Sequence, residues 1–189
     1  MRENDPGLAD HDFLRARAGE PAAFATLVRA QQRLVYGIAL RMLADRALAE
    51  DLSQEVFLQL HRSLSSIESV AHLVFWLRRV TAHRAIDRLR RRPAVHWSPL
   101  AAAEALPSAG SDDDPLMQAR VRRLVLQLAP VARAVVVLRY QQDLDPSEIA
   151  RTLDLPVNTV KSHLRRSLAT LRLQLAAELP GGTRIGHEP

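Results

Sequence analysis

Apolar positions recur at spacings of three and four along most of the chain. Alternation with period two is almost absent and glycine is scarce, so the pattern predicts an all-α protein. Asp10–Ala18 reads as a short helix ending at Gly19. Pro21 suits a first helical position, and Phe24, Leu27, Val28, Val35, Ile38 and Met42 form a stripe that carries the next helix to about Leu43. A third helix over Arg46–Leu64 buries Leu48, Leu52, Val56 and Leu60. Ser65–Ser69 is a polar break, and a fourth helix starts near Val70 and must stop before Pro93. Ala94–Asp114 loses the helical period and is rich in Ala, Pro, Ser and Asp, as a flexible tether would be. Beyond it Val121, Leu124, Val125 and Leu128 define one helix and Val131–Tyr140 another. The expected architecture is two small helical domains joined by a flexible acidic linker. Residues 10–92 form the first, 93–115 the linker, 116–179 the second, and 180–189 a disordered polar tail.

The second domain contains the most informative stretch, Pro146–Arg166. Ser147–Leu153 reads as a short helix with Asp145 placed to cap it and Glu148 in its first turn. Asp154-Leu155-Pro156 interrupts the pattern, because the residue before a proline is pushed out of the helical region. A longer helix follows, with Val160, Leu164, Leu168, Leu171 and Leu175 as its apolar seam. Asn158, Ser162 and Arg165 project opposite that seam, flanked by Lys161 and Arg166. A helix-turn-helix of this kind offers the amide, hydroxyl and guanidinium groups that a DNA major groove accepts. A solvated helix on an all-helical core has the same periodicity, so this stretch alone leaves both readings open.

Charge sharpens the choice. The chain carries a net +5, but residues 76–92 alone sum to +6 and 119–179 to +5, separated by an acidic 93–118. Two basic blocks suggest two contacts with a polyanion. In the first block Arg84, Arg88 and Arg91 share one narrow arc of the fourth helix, opposite Ala82, Ile86 and Leu89. The front half leaves that register, since Leu73, Leu77 and Val80 lie on the arginine side; it is expected to pack on more than one face. Trp76 is expected in the core. Like charges so crowded repel one another unless an anion is near, although a solvated face at a helix C-terminus is also compatible with them.

Other chemistry is thin. There is no cysteine, which excludes disulfides, thiolate metal sites and thiol redox sensing in this chain. His83 and Asp87 are spaced i, i+4, and His61 and His72 are the only further imidazoles at hand in that domain besides His11. A two-ligand spacing without a cluster is a poor metal signal, so neither metal nor cofactor is expected. No glycine-rich phosphate loop and no nucleophile elbow appear, and no catalytic residue is nominated. No apolar run approaches the length of a membrane span, and the polar start MRENDPGLADHD does not resemble a signal peptide, so a cytoplasmic protein is expected.

Taken together, these residues resemble extracytoplasmic-function (ECF) sigma factors, small two-domain initiation factors of bacterial transcription. The resemblance covers about residues 10–92 and 116–176. DLSQEVFLQLHRSL (Asp51–Leu64) is similar to the family's core-polymerase-binding helix, which implies that role for Asp51, Gln54, Glu55, Leu58, Gln59 and Arg62. FWLRRVTAHRAIDRLRRR (Phe75–Arg92) is similar to the segment that engages the minus-10 promoter element. The resemblance there implicates His83, Arg84, Arg88 and Arg91, and assigns a flipped minus-10 base to the loop with Ser65, Ser66 and Ser69. The stretch from Leu128 to Arg172 resembles the minus-35 reader, implicating Asn158, Thr159, Lys161, Ser162, Arg165 and Arg166. Core RNA polymerase and promoter DNA are the implied partners, together with an anti-sigma factor. Four departures stand out, one of them Pro146, which opens the first helix of the helix-turn-helix where an aromatic or polar residue is frequent. His83 replaces a usual Asn, Asp154 a common Gly before the turn, and Asn158 the Gly that opens the reading helix; Asn tolerates unusual backbone angles and can hydrogen-bond adenine. The rival is a dimeric transcriptional regulator with a helical sensing domain, which should lack a polymerase-binding helix.

Overall fold

The computed structural model describes residues 10–91 and 114–178; these form eight α-helices with no strand among them. The expected tether and tail lie outside the described residues, apart from Asp114 and Pro115. Helix α1 (Asp10–Arg17) closes through Gly19, whose φ of +89° suits glycine, with the Gly19 and Glu20 amides donating to the carbonyls of Ala16 and Arg15. Helix α2 (Pro21–Leu43) begins with its proline in the first turn and ends at Ala44 in the left-handed region. Asp45 then caps α3 (Arg46–Ser63) by accepting from the Leu48 amide at 3.1 Å.

One 3₁₀ turn, Leu64–Ser66, follows α3, shortening that helix relative to the sequence expectation. Ile67 is buried and pins the loop to the core, leaving Ser65, Ser66 and Ser69 exposed. Ser69 Oγ accepts from the His72 amide at 3.1 Å and so starts α4 (Val70–Arg91). Helix α2 is the hub of this half, packing against α1, α3 and α4. Its Leu27, Val35, Ile38 and Met42 are at most 1 % exposed, and such side chains each stabilise the fold by about 1.5–3 kcal/mol.

The second half comprises α5 (Pro115–Leu126), α6 (Pro130–Gln141), α7 (Pro146–Leu153) and α8 (Val157–Glu178). Helix α6 carries the run Ala132–Leu138, in which only Arg133 is polar, and all the other residues of that run are buried. A helix apolar all round must be covered all round. It packs on α7 and α8 of its own half and on α2 and α4 of the other, so one hydrophobic cluster runs through both halves. The two helical units are therefore docked on a shared core. Arg133 sits at the junction and donates to the carbonyls of Met42 in α2 (2.6 Å), Leu126 and Leu128 (3.3 Å). Burial pushes its guanidinium pKa down to about 10.

The α8 seam differs in part from its expectation. Val160 and Leu171 are buried, but Leu164, Leu168 and Leu175 are only half-buried while Ser167 is buried. Trp76 is half-buried against the core, and Leu73 and Leu77 are fully buried, as the mixed register of α4 predicts.

Candidate nucleic-acid interface

The helix-turn-helix is built by local chemistry. Asp145 accepts from the amides of Ser147 (2.7 Å) and Glu148 (2.8 Å), and Glu148 returns a carboxylate to the Asp145 amide at 2.7 Å, a complete capping box. The hydrogen bonds from those amides hold the Asp145 carboxyl below its ordinary value. Asp154 ends α7 with φ +58° and its amide bonded to the Ala150 carbonyl. This is the left-handed position where a glycine is favoured, and an aspartate is among the few other residues that adopt it readily. Asn158, by contrast, lies within helical backbone in the first turn of α8 and needs no unusual angles.

Helix α8 packs on α5, α6 and α7 and keeps its first turns open. Asn158, Lys161, Arg165 and Arg166 are exposed; Thr159 and Ser162 are half-buried. Asn158, Thr159, Ser162, His163 and Arg166 line a shallow concavity of about 240 Å³, while Lys161 and Arg165 stand outside its wall. His163 was not singled out from the sequence. The signal was its place one position after Ser162, at helical spacing from Thr159 and Arg166.

A second, larger groove of about 500 Å³ runs between α3 and α4. Arg79, His83, Arg84, Arg88 and Arg91 line it from α4, with Glu55 and Gln59 from α3 and Asp87 at the rim. Three of the arginines expected at promoter DNA are thus gathered in one place, and only Arg91 among them is fully exposed. The other two are engaged within the protein. Arg84 donates to Glu55 at 3.0 Å and twice to Gln59, at 3.0 and 2.7 Å; Arg88 donates to Glu55 at 2.6 Å and to the Leu48 carbonyl at 3.0 Å.

His83 turns toward the second half. Its Nε2 lies 3.2 Å from the Thr152 carbonyl, beside Arg79, which donates to the Arg151 carbonyl at 3.0 Å and pairs with Asp154 at 3.6 Å. Both side chains therefore meet the C-terminal carbonyls of α7, where a cation is favoured by the helix dipole. The resemblance implicates His83 at the minus-10 element; in the docked arrangement it lines the groove and also makes a contact between the halves. The imidazoles of the described residues do not gather. His61 sits edge-on to Phe24 at 4.9 Å and His72 accepts from the Glu68 amide at 3.4 Å, at sites apart from His83.

On the outer face of α3, Asp51, Gln54, Leu58 and Arg62 are exposed, whereas Glu55, itself partly open to solvent, and Gln59 turn into the groove. Leu58 is 60 % exposed in the middle of this polar row, an apolar side chain without cover among the described residues. No described helix is long and apolar enough to cross a membrane.

Comparison with known proteins gives this geometry its context. Residues 27–94 match the Sigma-70 region 2 family, and residues 118–171 match Sigma-70, region 4. The ECF RNA polymerase sigma factor SigW of Bacillus subtilis is 28% identical over 174 residues, covering 85% of this chain and 93% of that protein. SigK of Mycobacterium bovis, another ECF sigma factor, is 30% identical over 168 residues, covering 85% of this chain and 90% of its own. The fold is similar to that of the sigma factor RpoE of Bartonella quintana, solved with the anti-sigma factor NepR. The TM-score is 0.62 at 15% identity, over 82% of this chain and 98% of that one. The two matched regions, in order and on an arginine-lined helix and a helix-turn-helix respectively, make this chain a member of the ECF family of RNA polymerase sigma factors, which direct promoter-specific initiation of transcription.

Proposed function

We propose a division of labour among the three surfaces. The first turns of α8 read the minus-35 element in the major groove, with Asn158, Ser162 and Arg165 toward base edges and Lys161, Arg166 and Thr159 toward phosphates. The groove arginines Arg84, Arg88 and Arg91 hold the backbone near the minus-10 element, and the exposed Ser65, Ser66 and Ser69 receive an unstacked base. The outer face of α3, through Asp51, Gln54, Leu58 and Arg62, docks on core polymerase. The open amide, hydroxyl and guanidinium face of α8, fixed behind a capped α7 and a left-handed turn, is the observation that carries this reading.

On this reading the chain has no catalytic activity of its own; polymerase performs the chemistry, and the protein works in the cytoplasm. An anti-sigma factor is the natural regulator, because a protein of similar fold is known in complex with one.

The test is reconstitution. The full chain is added to core RNA polymerase on a fragmented genomic template, and transcript starts are mapped. Discrete starts that share a common upstream sequence, absent with core alone, are expected. Gln54→Ala combined with Leu58→Glu should lower co-purification with core at least tenfold while circular dichroism stays unchanged. Undiminished core binding by that variant would remove the α3 assignment.

A further inference from the structure

Glu55 occupies a position that the assignments above leave unexplained. It lies on α3 beside Gln54, yet its carboxylate faces the groove and bridges two arginines of α4, Oε2 to Arg84 at 3.0 Å and Oε1 to Arg88 at 2.6 Å. Gln59 and the Leu48 carbonyl hold the remaining edges of the same two guanidinium groups. The arginines are thereby fixed with their forks converging on a single anion. One N–H from each arginine meets one oxygen of the carboxylate, and a phosphodiester likewise presents two oxygens that the same pair of charged donors can take.

We propose that Glu55 is a built-in surrogate for a DNA phosphate: it preforms the Arg84–Arg88 clamp and occupies it until nucleic acid displaces it. Exposure is consistent with exchange. The Glu55 side chain is 46% exposed and Arg84 39%, so solvent reaches the pair, and ion pairs at this exposure hold weakly. An arriving phosphate finds two donors already oriented, and it must only outcompete one carboxylate. Because Glu55 adjoins Gln54 on the face assigned to polymerase, a core subunit that draws Glu55 outward acts in the same direction. The inference rests on the reading of the α4 groove as a DNA surface.

The experiment uses the full chain without polymerase and a fluorescein-labelled, mixed-sequence single strand of about 12 nucleotides, followed by anisotropy at several salt concentrations. Glu55→Gln keeps the shape and removes the anion, and it should bind the strand about three- to tenfold more tightly than the wild type. That gain should vanish when Arg84→Ala and Arg88→Ala are added. Glu50→Gln removes an equal charge from an exposed site on the same helix and should change affinity by less than half as much. Equal tightening by Glu50→Gln and Glu55→Gln would reduce the effect to net charge and overturn the proposal. If Arg84→Ala with Arg88→Ala weakens binding but Glu55→Gln does not strengthen it, the DNA groove stands and the surrogate role falls. If neither change affects binding, the groove assignment falls and the surrogate with it.

Discussion

Arg133→Met offers the sharpest test of how the two halves are held. In the wild type the guanidinium donates to the Met42, Leu126 and Leu128 carbonyls, joining α2 to the α5–α6 turn. Hydrogen bonds from a charged donor are worth about 1.5–3 kcal/mol each, so three give a gross stabilisation of roughly 4–9 kcal/mol. Against this stands the burial that lowers the guanidinium pKa to about 10. At about 1.36 kcal/mol per pKa unit that opposes the folded state by roughly 3 kcal/mol. Methionine keeps the apolar stem and avoids the penalty, while water regains part of the freed carbonyls. The net expectation is a loss of roughly 1–3 kcal/mol, which for a chain of this size lowers Tm by about 5 °C. Urea unfolding followed by circular dichroism should show a lower midpoint with an unchanged slope. Arg133→Lys should fall between, since one ammonium cannot span three carbonyls in the plane of a fork. The accounting is refuted if Arg133→Met equals or exceeds the wild type in stability, because the buried charge would then cost more than its bonds return.

Two further outcomes follow from α7 and α8. Because Asp145 has a lowered folded-state pKa, its stabilising contribution is present above the unfolded value near 3.8 and is lost as pH falls through the folded value. The stability difference between the wild type and Asp145→Asn, measured by thermal melts, should therefore shrink below about pH 4 and stay constant from pH 5 to 7; a difference that grows in acid would contradict the capping account. In the reading helix, Arg165→Ala should relax preference at one or two minus-35 base pairs by about 1–3 kcal/mol, while Lys161→Ala should weaken all sequences alike. Selection among randomised minus-35 sites by each mutant holoenzyme decides it, and an unchanged preference for Arg165→Ala would remove that side chain from the reading face.

Helix boundaries were legible because they are set by neighbours in sequence. Pro21, Asp145 and Pro156 act within a turn of themselves, and the structure follows them. The Arg84, Arg88 and Arg91 arc was legible for the same reason, as a consequence of helical spacing. What these arginines touch was not, since Glu55 and Gln59 are 29 and 25 residues from Arg84 in the chain and meet it only once α3 packs on α4. The fate of His83 was hidden in the same way: its partner carbonyl lies 69 residues on. The docking of the halves did leave a trace. The seven-residue run Ala132–Leu138, six buried Ala, Val and Leu around the single Arg133, has no polar face to offer solvent, and so asks for cover on both sides.

The position of α6 bears on promoter geometry. Elements named for positions minus-10 and minus-35 are separated by roughly 25 base pairs, about 85 Å along a duplex at 3.4 Å per step. A compact body of about 150 residues has a radius of gyration near 15 Å. With α6 wedged against α2 and α4, the two surfaces proposed as readers are carried by such a body, and on that reading they reach one element at a time. Spanning both requires α6 to part from the first half, so the stability of that junction enters the apparent affinity for a whole promoter. Each 1.4 kcal/mol of docking lowers that affinity about tenfold and leaves affinity for either isolated element untouched. On that reading the junction works against holding both elements at once, so loosening it raises affinity for a whole promoter and leaves affinity for a single element unchanged.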